Sequence, residues 1–127
     1  MAADFDPQLR AAMLRWAAGD LGATAAVQLL IDTGWLPEKL ANAGCTRALS
    51  DEPGLEVIAP QFHRALADDG RLITALSHSE WALLQIAATL NGSAEINLHH
   101  ALGRLDQSNA RHAMTAFSIA LGGARPR

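Results

Sequence analysis

A nearly continuous run of apolar positions extends from Trp81 to Leu90. Only Gln85 and Thr89 interrupt it, and because they are four residues apart they fall on one narrow stripe of a helix. A helix that is apolar around most of its circumference is usually covered by neighbours on nearly every side. We therefore predict that a helix over residues 78–90 lies at the centre of the fold.

Both ends of this predicted helix carry capping signals. Ser77 and Glu80 have the spacing of a capping box, in which each side chain bonds a backbone amide that would otherwise lack a partner. Gly92 readily adopts the left-handed conformation at which helices commonly end. The capping residues thus predict the bounds of the helix independently of its apolar run.

Two further helices are predicted near the start of the chain. Asp6 caps a helix that opens with Pro7, and its apolar positions recur at helical spacing. These positions are Leu9, Ala12, Met13, Trp16 and Ala17. Asp20 caps a second helix, which ends at Gly34. Because only a tight link separates the two helices, we predict an αα-hairpin over residues 7–34.

The region between the hairpin and the central helix is less regular. A short helix is predicted over residues 38–43. Residues 46–59 lose the helical period, and we expect turns there with a short extended piece at residues 55–58. A second extended piece at residues 72–74 could pair with it, a possibility that the sequence leaves open. Pro60 is expected to begin another helix.

Two more helices are predicted after the central one. Ser93 is expected to cap the first of them. Its apolar positions are Leu98, Ala101, Leu102 and Leu105. Asp106 is expected to cap the second, in which apolar residues at helical spacing predict a buried stripe. That stripe consists of Ala110, Met114, Phe117 and Leu121. With the central helix, these two form a C-terminal three-helix unit over residues 77–122.

These elements predict an all-α fold, a single compact domain of six or seven helices over residues 1–127. The chain is rich in alanine and contains no tyrosine, which favours closely packed helices over sheet. We expect the hairpin over residues 7–34 to pack on the three-helix unit over residues 77–122, around helix 78–90.

The three tryptophans could line a ligand pocket. In a core rich in alanine, however, large aromatic side chains more often fill the gaps between helices. We therefore expect Trp35 to pack back on Leu30, and Trp81 to be largely buried against Trp16 or Leu30.

Charge and cysteine content bear on location and partners. The net charge is −3, which argues against a protein that coats a polyanion. Cys45 is the only cysteine, so no intrachain disulfide can form and an oxidising compartment is not indicated. The first residues lack the features of a signal peptide, and no apolar run is long enough to span a bilayer. We expect a cytoplasmic protein that does not enter the membrane.

Two resemblances bear on this interpretation. The segment WAAGDLGATAAVQLLIDTGWL at residues 16–36, with SxxEWALLQIAATL at residues 77–90, resembles small uncharacterised helical proteins of actinobacteria. That resemblance implies a helical fold and no activity. The pattern LSxSExxLLxIA at residues 76–87, followed by SAEI and LDQSNAR, resembles the four-helix DNA-binding module of response-regulator-type activators.

The second resemblance implies a helix-turn-helix-like segment at residues 93–122 with a recognition helix that begins near Asp106. By that analogy, the residues that would face DNA are Gln107, Asn109, Arg111, His112 and Thr115. The chain departs from the pattern, because the stretch between Ile96 and Leu105 is about two residues too long and Gly103 interrupts the positioning helix. Residues 77–127 also hold only four arginines against three acidic residues, which is a poor endowment for neutralising phosphates.

Candidate catalytic and metal-binding residues are few. The histidines are His63, His78, His99, His100 and His112. Glu95 and His99 are four apart on a predicted helix, but no third ligand is evident, so no metal or cofactor is predicted. Ser108 and His112 have the same spacing, yet no residue that would orient the base accompanies them.

These absences favour a non-enzymatic cytoplasmic protein that acts by protein–protein interaction. Such a protein could act as a homodimer. Helices 21–33 and 78–90 are apolar on nearly every side, and short neighbouring helices within one chain would leave part of that surface exposed. The alternative is a DNA-binding transcriptional regulator that uses residues 93–122. A third hypothesis is a small enzyme with His63, His99 or His112 in a pocket.

Overall fold

The computed structural model describes residues 6–50, 52–67 and 75–122. Within these ranges the chain forms seven helices and one two-stranded sheet, so the predicted mostly helical architecture is confirmed in outline. In chain order the elements are α1 (Pro7–Ala17), α2 (Leu21–Asp32), α3 (Leu36–Asn42), β1 (Thr46–Ser50), β2 (Val57–Pro60), α4 (Phe62–Leu66), α5 (His78–Leu90), α6 (Leu98–Leu102) and α7 (Gln107–Ala120).

Helix α5 has the bounds that its capping signals predict. The Glu80 amide donates to the Ser77 hydroxyl at 3.1 Å, and the Ser77 amide donates to the Glu80 carboxylate at 3.0 Å. Gly92, with φ of 79°, follows its end in the left-handed region. The helix contacts α2, α4, α6 and α7, and six of its side chains are buried. They are Ala82, Leu83, Leu84, Ile86, Ala87 and Ala88.

Helices α1 and α2 pack against each other and are capped by Asp6 and Asp20. Arg10 of α1 fastens the C-terminal end of α2, because its guanidinium donates to the Ile31 carbonyl at 3.2 Å and also to the carbonyl of Gly34. The same guanidinium pairs with Glu38 of α3 at 2.9 Å. One arginine therefore joins α1, the end of α2 and the start of α3.

The close approach of α2 to α5 depends on Gly22. A Cβ atom at this position would overlap the backbone carbonyl oxygen of Leu90, at the end of α5. Because the obstacle is backbone, it cannot be relieved by a change of side-chain rotamer. A side chain of any size is therefore excluded at position 22 in this packing.

The sheet corrects the all-α prediction. Strand β1 lies where we expected turns, and it pairs antiparallel with β2, Arg47 opposite Ala59. The extended piece expected at 55–58 begins two residues later, and Pro60 ends β2 instead of beginning a helix. The expected partner at residues 72–74 lies outside the described residues. Two such short strands carry too few residues for a period-2 pattern to stand out.

Contact with α1 covers one side of β2. Arg15 of α1 donates to the Glu56 carbonyl at 2.6 Å, and its guanidinium lies 3.4 Å from the Glu56 carboxylate. Leu49 is an extra residue in β1, because the register shifts between Ala48 and Ser50. Such a bulge bends an edge strand, and Leu49 is 53% exposed.

Helix α6 is shorter than predicted and begins later. Asn97 caps it by accepting from the His100 amide at 3.0 Å, whereas the Ser93 hydroxyl accepts a hydrogen bond from the Asn91 side chain. Glu95 precedes this helix, so the predicted acid–histidine pair on one helix is wrong. Of the four apolar positions expected to form its buried face, only Ala101 is buried.

Candidate interaction surface and neighbouring clefts

Helix α7 buries a different face from the one we predicted. Its buried residues are Ala113, Ala116 and Ile119, and it packs mainly against α2. Met114 is 70% exposed and Leu121 is 87% exposed, so their predicted burial is wrong. The helix carries two apolar stripes, and the alanine-rich one allows the closer approach to the alanine-rich α2. Close packing therefore leaves the larger side chains outside.

The outward stripe of α7 continues onto α2. Met114, Phe117 and Leu121 follow one another at spacings of three and four, which places them on one face of the helix. A Cβ atom on Gly122 would lie 3.7 Å from the Leu21 side chain, and Leu21 is 55% exposed. We call Leu21, Met114, Phe117 and Leu121 the α7 patch. Phe117 is only partly exposed, so the other three provide most of its accessible apolar surface.

The residues predicted to face DNA do not form one outward surface. Asn109 donates to the Ser79 hydroxyl at 2.7 Å and to Asp106 at 3.3 Å, so its amide holds the start of α7 against the start of α5. Gln107 and Arg111 are exposed and lie one turn apart. These two side chains share an outward face, whereas the Asn109 side chain is engaged by Ser79 within the fold.

The remaining two members of that set are partly buried. The Thr115 hydroxyl donates back to the Arg111 carbonyl at 3.2 Å within the same helix, and His112 is half-buried. Arg111 is the only formally charged side chain in α7. The helix therefore presents a single positive charge beside an apolar patch.

The histidines occupy separate places. His99 and His100 are exposed on α6, whereas His63 on α4 lines two clefts. Among the described residues, no three His, Cys, Asp or Glu side chains converge as metal ligands would. Cys45 is buried, as free cysteines commonly are. Of the three histidines proposed for a pocket, His63 is the one that lines these clefts.

The two clefts that share His63 were not predicted from the sequence. The first, of about 470 Å³, lies between the sheet, α4 and Trp16 of α1. The second, of about 450 Å³, lies between α4, α5 and the segment that leads to α6. Ser93 also lines both clefts. The two clefts therefore adjoin at these residues.

Trp81 lines the second cleft and a smaller one of about 240 Å³. Its side chain is partly buried and packs against the core cluster that includes Leu30, so most of the ring is covered and only part of it reaches these clefts. Trp81 lies in the first turn of α5, and the segments around that turn leave part of the ring uncovered. Trp16 is likewise half-buried. Two of the three tryptophans therefore contribute to cleft walls.

Two carboxylates have perturbed acidities for structural reasons. Partial burial by itself would raise the pKa of Glu80, but hydrogen bonds from the Ser77 amide and from Lys39 outweigh it and lower that pKa. Burial likewise acts against ionisation of Glu38, and the Arg10 hydrogen bond, together with its charge, brings the pKa of Glu38 below its ordinary value. Both carboxylates join α3 to other helices. Neither shift indicates a catalytic group.

Comparisons with known proteins gave no match to any family, curated protein or solved structure. Within the described part of the chain, no helix has the length and apolarity that crossing a membrane requires.

Proposed function

We propose that this is a non-enzymatic cytoplasmic protein that acts by binding another protein, and that a second copy of the chain is a partner. The observation that carries the proposal is the α7 patch, in which the exposed side chains of Leu21, Met114 and Leu121 adjoin the partly buried Phe117. Scattered exposed leucines are ordinary on protein surfaces. Neighbouring ones on a single helix face are a common feature of interaction sites.

The composition of the patch favours self-association. Apart from Arg111 at its edge, α7 contributes no formal charge that would select a partner of opposite charge. Two copies related by a two-fold axis could bury the same stripe against itself, since such an interface uses one surface twice. Burial of Met114 and Leu121 in this way would supply apolar contact area without leaving a charge unpaired.

Sedimentation of the full chain tests this proposal. We expect the mass to rise with concentration toward twice the monomer value of 13.5 kDa in the micromolar range. The double variant Met114→Glu/Leu121→Glu should sediment as a monomer, because a paired interface would have to bury four added carboxylates. Leu55→Glu is the matched control, since Leu55 is 56% exposed and lies outside the patch. A wild-type monomer at high concentration, or equal behaviour of all three proteins, would remove the homodimer.

The alternative proposal is a DNA-binding regulator that uses residues 93–122. The exposure of Gln107 and Arg111 on one face of α7 favours it, because both side chains are suited to base edges. The single positive charge of the helix weighs against it. We expect no retention of random duplex DNA at ~150 mM salt and no change on Arg111→Ala. Binding tighter than about 10 µM that falls with salt and with Arg111→Ala would put the regulator first.

A further inference from the structure

The cleft beside the sheet, of about 470 Å³, is lined by residues of α1, β1, β2, α4 and the segment that follows α5. Arg47 and Leu49 of β1 line it together with Ala59 of β2, which is the register partner of Arg47. Arg64 of α4 and Trp16 of α1 line it as well. Its volume falls in the range of small-molecule sites, which is roughly 300–1,000 Å³.

The charged side chains among the described residues that line this cleft are positive, whereas the chain as a whole is negative. Arg47 and Arg64 both line it, and neither makes an ion pair with another described residue. None of the described residues that line it is acidic. Among the described residues, this cleft thus combines two arginines with no carboxylate, in a protein of net charge −3. Guanidinium groups bind carboxylate and phosphate oxygens through paired hydrogen bonds.

The uncharged walls of the cleft suit a flat ring. Trp16 presents part of an indole, and aromatic faces stack with planar rings. Gln61 lines the cleft as well, and its side-chain amide can donate hydrogen bonds to a bound oxygen. The adjoining cleft contains Glu95, whose negative charge disfavours an anion there. An anionic group is therefore directed to the arginine side.

We propose that this cleft binds a small organic anion, in which a flat ring carries a phosphate or a carboxylate. The anionic group contacts Arg47 and Arg64, and the ring lies along Trp16. This inference is independent of the α7 patch, since none of these residues belongs to that surface. The site requires no covalent step.

The test is an NMR titration of the full chain with phenyl phosphate, benzoate and benzamide as probes. We expect shifts at the Trp16 indole and at the Arg47 and Arg64 amides, with dissociation constants below about 1 mM for at least one of the two anions. Arg47→Gln and Arg64→Gln should each weaken binding about 10-fold, since each removes charge-assisted hydrogen bonds. Both arginines are exposed, so the fold should not depend on them. Arg111→Gln, an exposed arginine on α7, is the matched control and should leave binding unchanged.

The probes also separate the two sources of negative charge. Tighter binding of phenyl phosphate supports a phosphate ester, and tighter or equal binding of benzoate supports a carboxylate. Benzamide binding as tightly as the better bound of the two anions would overturn the proposal, because the negative charge would then contribute nothing. An equal loss on Arg111→Gln, or no shift at the cleft up to about 10 mM of either anion, would overturn it as well.

Discussion

Helices α5 and α7 are nearly equal in length but differ in how completely their apolar residues are covered. Six of the thirteen residues of α5 are buried, and they lie on most sides of the helix. Helix α7 buries only three of its fourteen residues, and Met114 on the helix and Leu121 just after it are exposed, whereas Phe117 is partly buried. The two helices come from similar sequence signals, each with a capping residue and apolar positions at helical spacing.

The difference shows what decides the orientation of a helix. For α5, rotation about its axis makes little difference to apolar burial, because nearly every face is apolar. For α7, either of two apolar stripes could face the core, and the stripe of small residues allows the closer approach to α2. Ala113 and Ala116 therefore lie inside, whereas Met114 lies outside. The face with small side chains, which can approach α2 more closely, therefore packs inside in preference to the face with larger side chains.

The sharpest test of this comparison truncates a leucine on each helix. Leu83→Ala should lower the free energy of unfolding by about 2–5 kcal/mol, since Leu83 is fully buried and its loss leaves a cavity. Leu121→Ala should change it by less than about 0.5 kcal/mol, because Leu121 is largely exposed. Urea denaturation below the concentration at which the chain self-associates measures both. Equal effects would mean that the outward stripe is covered after all.

A second test concerns how closely α5 is held by α2. Gly22→Ala should destabilise the protein by about 1–3 kcal/mol despite the better helix propensity of alanine, because the added Cβ overlaps the Leu90 carbonyl. Gly103→Ala is the control, since its added Cβ would meet its nearest atoms at 3.5 Å, an ordinary contact. Thermal unfolding of both variants measures the difference. A stabilised Gly22→Ala protein would show that α2 and α5 separate readily.

The smallest expected effect is the pH dependence of the stability that Glu80 contributes at the first turn of α5. The pKa of Glu80 is lowered from its ordinary 4.5. This carboxylate therefore contributes stability above about pH 4.5, which is lost as pH falls through the folded-state pKa. The stability difference between wild type and Glu80→Gln should accordingly shrink between pH 7 and about pH 3. Urea midpoints across this range measure it, with Glu95→Gln as an exposed control. A constant difference would assign the role of Glu80 to packing alone.

Local signals in the sequence were sufficient for most helix bounds. Ser77 and Asp106 bond the backbone of their own first turns, so the starts of α5 and α7 could be predicted from a few neighbouring residues. The sheet could not be predicted in this way. Thr46–Ser50 becomes a strand only by pairing with Val57–Pro60, and no residue within it signals that partner.

The candidate sites depended even more on distant contacts. Asn109 has a side chain suited to DNA bases, but Ser79, thirty residues earlier, engages it. The cleft beside the sheet brings together Trp16, Arg47 and Arg64. No regular spacing in the sequence connects these three residues.

Met114, Phe117 and Leu121 of the α7 patch do lie on one apolar stripe, as their spacing predicts. The prediction that this stripe is buried is wrong, because the neighbouring helix α2 determines which face of α7 packs inside.

The bond from Arg15 to the Glu56 carbonyl has a consequence for the order in which the molecule opens. It joins residues forty-one positions apart, and α1 also packs on β2. Helix α1 therefore cannot detach from the rest of the fold without also exposing the sheet. Slow amide exchange should reveal α1 and β2 as one cooperative unit that opens at a common free energy, below that required to expose the amides of α5.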